Sequence, residues 1–166
     1  EPFYTFDTPK DGSGNPESQR SAGLRDFTFD PNFATNGYIY AFYMTNSPRH
    51  NRVVRIQASA GNPNVAVPNS ETTLMQLPFN NSQSSGSHNG GALIFGSDGK
   101  LYISTGDGWD GGDNVQSLST YTGKIFRLNA NGTIPTDNPI YKQASGNYSA
   151  LYALGRRDQF SMSRNP

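Results

Sequence analysis

Apolar residues in this chain come in short runs, rich in aromatic and β-branched side chains, and nearly all are closed by Asn-Gly, Asp-Gly, Asn-Pro or Asp-Pro. Runs of that length between turn formers predict strands joined by tight turns. They place strands near Leu24 to Phe29, Tyr38 to Met44, Arg52 to Gln57, Thr72 to Leu77, Gly91 to Phe95, Lys100 to Ser104, Lys124 to Asn129 and Ala150 to Leu154. No helix is predicted. Strands such as Ala92-Leu93-Ile94-Phe95 and Leu101-Tyr102-Ile103 are apolar at consecutive positions, so both of their faces should be covered. Stacked propeller blades provide such cover, and a β-sandwich fits the same pattern.

Segments 8 to 22, 58 to 71 and 79 to 90 are polar and rich in Gly, Pro, Asn and Ser, and read as loops. Lys10 to Arg20 holds no apolar side chain except Pro16, which places it outside a packed core. Strand–turn–strand units recur around Asn36-Gly37, Asp98-Gly99 and Asn131-Gly132, without a regular period.

Composition narrows the function classes. The chain has 166 residues, 33% of them hydrophobic, which fits one domain. Thirteen basic residues balance thirteen acidic ones, so no long-range field draws it to nucleic acid or an anionic membrane. No run approaches the roughly 20 apolar residues that cross a bilayer, and no apolar leader follows a basic start. The expectation is a soluble chain, or a mature piece whose leader has gone. The absence of cysteine excludes disulfides and thiolate metal sites. Glycosylation triplets at Asn80, Asn131 and Asn147 are of a number that chance supplies in so Asn-rich a chain.

One hairpin carries candidate chemistry. Asp98-Gly99 lies between two apolar runs, and Asp and Gly tolerate the positive φ that a two-residue type I′ turn demands. With that turn, Ser97 faces Lys100, and continuing outward sets His88 against Trp109 and Gly90 against Asp107. His88 and Asp107 then become diagonal neighbours on one face, roughly 7–8 Å apart at the backbone. A three-residue loop would shift the register by one and put them on opposite faces. A carboxylate beside a histidine fixes the ring's tautomer and supports its protonated form, making it a competent base. Gly90 and Gly91 present no side chain to an approaching ligand. Against this, a lone histidine in a polar loop is usually only a solvated side chain. Asp107, Asp110 and Asp113 recur every third residue but do not match the EF-hand spacing, so they read as a plain turn and no metal ligand is assigned.

Four blocks carry a family resemblance: "GLRDFTFDPNFATNGYIYAFY", "HNGGALIFGSDGKLYISTGDG", "YTGKIFRLNANGTIPTDNPIY" and "LYALGRRDQFSMSRNP". In order and spacing, from Gly23 to Pro166, they resemble the glucose/sorbosone dehydrogenase family, which holds the soluble quinoprotein sugar dehydrogenases. The resemblance implies an all-β chain, a β-propeller six-bladed in the family, with cofactor and sugar at one end of its channel. By motif position, His88 looks like the general base for the sugar's anomeric hydroxyl. Asp107 looks like the carboxylate that orients it, and both would contact substrate. Arg157 of "GRRD" looks like the cation lying against pyrroloquinoline quinone, with Asp158 beside it at the cofactor.

The chain also departs from the family pattern. Ser21 stands where relatives carry Gln or Glu, a candidate substrate contact, and their "GLLG" reads Gly23-Leu24-Arg25-Asp26. Their Arg-Asn-Pro reads Arg157-Asp158-Gln159, placing a carboxylate where an amide is usual. Arg156 or Arg157 would have to neutralise it; otherwise the two arginines read as an exposed basic pair. Family members are more than twice as long, so the chain is expected to be a fragment of about three blades. Residues 1–22 would form a loop-rich segment and 23–166 a partial propeller continuing beyond the C-terminus. Calcium ligands are expected outside it, and the open sheets would be covered by the rest of the propeller or by copies of itself.

The expected function is therefore that of a periplasmic or secreted quinoprotein oxidising an aldose-type sugar, whose electron acceptor the residues do not identify. The isolated chain is expected to be inactive. Two other classes stand beside it: a non-catalytic propeller module binding a protein or glycan, and a self-assembling structural fragment.

Overall fold

The structure is a computed structural model that describes residues 2–10, 22–79, 88–108 and 113–164. Each predicted run forms a strand: β1 (Leu24–Phe29), β2 (Tyr38–Met44), β3 (Asn51–Gln57), β4 (Thr72–Leu77), β5 (Gly90–Phe95), β6 (Leu101–Thr105), β7 (Ile125–Leu128) and β8 (Leu151–Ala153). The expectation of no helix needs correcting. One helical turn, α1 (Phe33–Asn36), precedes β2, and short 3₁₀ turns lie at Asp113–Val115 and Gly146–Ala150. Asn36-Gly37 closes that turn, with Gly37 at φ 66° donating its N–H to Phe33 O, so a dipeptide that also signals hairpins here ends a helix.

The strands form two antiparallel meanders, β1-β2-β3-β4 and β5-β6-β7-β8. The described residues thus build two four-stranded sheets, where the length of family members suggested about three blades. Tyr40, Phe42, Val53, Met75 and Leu77 from the first sheet pack on Leu93, Phe95, Leu101, Ile103, Phe126 and Leu128 from the second. First strand lies beside first strand, β1 against β5, as in neighbouring propeller blades.

Consecutive burial in β2 follows from cover on both faces. Tyr40 and Phe42 enter the inter-sheet core, while Ala41 and Tyr43, with Val54 and Ile56, pack under Phe3, Tyr4 and Phe6 of the N-terminal segment. Leu24, Phe27 and Phe29 of β1 stay 47%, 55% and 50% exposed. They border an open apolar depression of about 610 Å³ on the outer face of the first sheet, lined also by Phe3, Phe6 and Ile39.

The two-residue turn is also corrected. Gly96 N–H bonds to Lys100 O at 2.9 Å and Gly99 N–H to Gly96 O at 3.0 Å, so three residues, Ser97 to Gly99, make the loop, with Gly99 at φ 70°. The longer loop lays the exposed Asp98 carboxylate over β6 and β7, where it accepts hydrogen bonds from Arg127 at 2.8 and 3.0 Å and from the Tyr102 hydroxyl at 3.0 Å. Arg127, on β7, is buried and also reaches Asp137 at 2.9 Å and Asn138 at 3.0 Å. This charge-assisted network stabilises the extra loop residue in a way that local turn propensity does not register.

Candidate active site

The three-residue loop alone would carry His88 and Asp107 to opposite faces, but β5 contains a second irregularity. Leu93 pairs with Ile103 and Gly90 with Thr105, so Gly91 and Ala92 together oppose Ser104. This bulge adds one residue to β5 and restores the parity that the loop removed. Gly91 supplies the kink at φ 105°, and Ser104 Oγ accepts the Ala92 N–H at 3.0 Å. Beyond β5, Asn89 O accepts from Gly106 N–H at 3.0 Å and His88 O from Gly108 N–H at 3.1 Å. His88 therefore sits directly across from Asp107, and its Nδ1 lies 2.9 Å from Asp107 Oδ1.

Both side chains are shielded, with 14% and 9% of their surface exposed. With Nδ1–H donating to the carboxylate, Nε2 becomes the basic nitrogen of the ring. The local backbone is built for this closeness. His88 is held at φ 49°, in the left-handed region that non-glycine residues seldom occupy. A Cβ on Gly106 would collide with the His88 carbonyl oxygen, so only glycine lets the two segments touch. Strained backbone of this kind persists where surrounding structure enforces it.

The enforcement comes from the chain after β8. Arg157 O accepts the Asp107 N–H, Gln159 O accepts the Ser104 hydroxyl at 2.6 Å, and Asp158 Oδ1 accepts the Gly90 N–H at 3.1 Å. Residues 157–159 thus strap the His88 and Asp107 segments together. Asp158, expected from its motif at the cofactor, places its carboxylate on the backbone two residues from His88. The Arg157 side chain is exposed beside this strap. Ser21 lies outside the described residues, as do Trp109 and Asp110.

Three residues that sequence reasoning left unassigned also shape the site. Lys124 is fully buried, and its ammonium donates to the carbonyls of Asn114, Val115 and Thr122 and to Thr120 Oγ1, at 2.9, 3.0, 2.5 and 3.2 Å. It ties the loop that follows Asp107 to β7, and burial pushes its pKa down to about 8. A lysine at a predicted strand start reads as a solvated end, and its acceptors are mostly backbone carbonyls, which leave no mark in a sequence. Asp26 Oδ2 accepts the Leu93 N–H at 2.8 Å, and Arg25 Nε donates to Gly90 O at 3.3 Å. Both sat at positions where the family pattern was broken, and that was the available signal.

Among the described residues, no group of three or more His, Cys, Asp or Glu side chains is placed to hold a metal ion. No described helix is long and apolar enough to cross a membrane.

Comparison with known proteins places the chain. Residues 8–166 match the family described as Glucose / Sorbosone dehydrogenase. Quinoprotein glucose dehydrogenase B of Acinetobacter calcoaceticus is 28% identical over 170 residues, covering 87% of this chain and 34% of that protein. Hedgehog-interacting protein of Mus musculus is 30% identical over 141 residues, covering 74% of this chain and 20% of its own length. Among solved structures, the PQQ-bound aldose sugar dehydrogenase of Streptomyces coelicolor superposes with a TM-score of 0.66 at 26% identity, over 86% of this chain and 39% of that one. The chain thus spans about a fifth to about two fifths of the relatives it matches. By family match, strand order and superposition together, it belongs to the glucose/sorbosone dehydrogenase family.

Proposed function

We propose that this chain carries the base-bearing part of the active site of a sugar dehydrogenase of the pyrroloquinoline quinone type, and that the sugar is an aldose oxidised at its anomeric carbon. The observation that carries this reading is the shielded His88–Asp107 pair at 2.9 Å. His88 Nε2 takes the proton of the anomeric hydroxyl, and Asp107 holds the ring in the required tautomer and stabilises the imidazolium that results. When bound, the quinone supplies the hydride acceptor, so the sugar leaves as its lactone. Arg157 adds positive charge where the reduced acceptor becomes anionic.

The residues present fit a planar, carboxylate-bearing cofactor. Arg25 and Arg157 supply positive charge near the pair, while the Asp107 and Asp158 carboxylates are held by His88 and by the Gly90 N–H. Calcium ligands and the remaining cofactor contacts belong, in this reading, to further parts of a longer periplasmic or secreted polypeptide. The test is dye reduction by the full-length polypeptide with quinone, calcium and a panel of aldoses. Turnover that His88→Ala abolishes, with quinone affinity kept, is the expected result; no turnover with any aldose sinks the proposal.

A second reading is favoured by the similarity to Hedgehog-interacting protein. In that reading the propeller is a binding module for a protein or glycan. Spectroscopic titration with quinone separates the two, because a binding module takes up none. A third, self-assembly through the exposed apolar face of β1, predicts elution of the chain as an oligomer in size-exclusion chromatography.

A further inference from the structure

Arg25 replaces an apolar position of the family's "GLLG" pattern and is the bulged residue of β1, where the register slips between Leu24 and Asp26. That slip lets both Arg25 and Asp26 reach β5. Asp26 is the structural partner: its two carboxylate oxygens take the N–H groups of Phe27 and Leu93 at 2.9 and 2.8 Å. Arg25 is less fully used. Its stem lies across the bare backbone of Gly91, where a Cβ would meet Arg25 Cβ and Cγ, and its Nε donates to Gly90 O at 3.3 Å. This sets the guanidinium beside a carbonyl two residues from His88. No carboxylate of the described residues lies within ion-pair distance of it, and its two terminal nitrogens have no hydrogen-bond acceptor among those residues.

Arg25 is only partly buried and its terminal nitrogens are not among the buried atoms left without a partner, so they face outward and are open to an incoming ligand. Its remaining donors form a flat fork, the geometry that binds a carboxylate through two parallel hydrogen bonds. We propose that Arg25 is a carboxylate-binding residue of the His88 site, so that the site receives a ligand bearing a carboxylate near its reacting group. Two ligands carry that chemistry: a uronic acid in place of a neutral aldose, and the carboxylated quinone itself. The inference rests on the reading of His88 as the base of a sugar-oxidising site, and it adds a cation that the family pattern does not place there.

The experiment is calorimetric titration of the full-length polypeptide and of its Arg25→Gln and Arg25→Lys variants with D-glucuronate, D-glucose and pyrroloquinoline quinone, with far-UV circular dichroism to confirm folding. Arg25→Gln is expected to weaken one of the two carboxylated ligands by about tenfold or more. D-glucose binding stays unchanged, and Arg25→Lys recovers part of the loss. Loss confined to glucuronate makes the substrate the source of the carboxylate; loss confined to the quinone makes it the cofactor. The proposal is overturned if Arg25→Gln binds both carboxylated ligands like the wild type, if it loses glucose to the same extent, or if the wild type binds neither. Because binding is read directly, a wild type that takes up glucuronate through Arg25 while oxidising no sugar would support Arg25 and refute the dehydrogenase reading. Oxidation of glucose with Arg25→Gln indifferent to every ligand would do the reverse.

Discussion

The Asp158 carboxylate accepts the Gly90 amide at 3.1 Å, joining a segment beyond the last strand to the residue that opens β5. Sequence alone suggested that a carboxylate at this position would oppose an anionic cofactor. Its use as a backbone acceptor changes what substitution should do. Asp158→Asn keeps an oxygen for Gly90 and should alter stability by less than about 0.5 kcal/mol, whereas Asp158→Ala should cost about 1 kcal/mol. Urea denaturation of the two variants distinguishes them, and equal losses would mean the contact contributes nothing.

Gly106 is the tightest point of the site. Gly106→Ala drives a methyl group into the His88 carbonyl, and backbone cannot yield as a flexible side chain can. A loss of more than about 3 kcal/mol is expected. Gly61→Ala, where a Cβ meets nothing within 4 Å, is the control and should change stability little.

Asp107→Asn removes the charge facing His88 while keeping its shape. If His88 is the base as proposed, any aldose-oxidising kcat/KM of the full-length polypeptide should fall by about 10²–10⁴-fold. Quinone affinity, measured by titration, should hold. A fall of less than tenfold would leave Asp107 as a structural partner only.

Lys124 predicts an alkaline signature. Its folded pKa of about 8 lies below its ordinary 10.5, so between these values the unfolded chain holds the proton and the folded chain does not. Stability from this residue is therefore full above about 10.5 and is lost as pH falls through 8. Tyr4 and Tyr102 work the other way. Burial and the Glu71 and Asp98 carboxylates raise them to about 12, so their contribution is full below 10 and is lost as pH rises through 12. Unfolding free energy should rise from pH 7 to about 9.5 and fall above about 10.5. Lys124→Met should flatten the rise and, by taking one charge-assisted donor from each of the Asn114, Val115 and Thr122 carbonyls, cost about 1–3 kcal/mol. Denaturation curves at graded pH check both parts.

Strand positions were legible in the sequence because apolar runs and turn dipeptides are local signals. Leu24–Phe29, Tyr38–Met44 and Thr72–Leu77 fall where the pattern placed them. The two-residue turn failed for a non-local reason: Asp98 is drawn to Arg127, 29 residues away in sequence. The bulge was hidden as well, since Gly90-Gly91 reads as open backbone in a sequence and only the pairing with Ser104 and Thr105 reveals an insertion. His88 and Asp107 were brought to notice by hairpin and motif, but the strap through residues 157–159 depends on backbone groups that every residue carries. Lys124 was missed for the same reason.

The hairpin from Gly90 to Thr105 behaves like a double negative. Pleat orientation takes only two values, so the third loop residue and the Gly91-Ala92 insertion each invert which side the imidazole meets, and together they cancel. Losing one residue from either place would turn His88 away from Asp107; losing one from both would bring it back. Length changes in this hairpin are consequently tolerable only in pairs, and relatives or engineered versions with a shorter loop should also have a straighter strand.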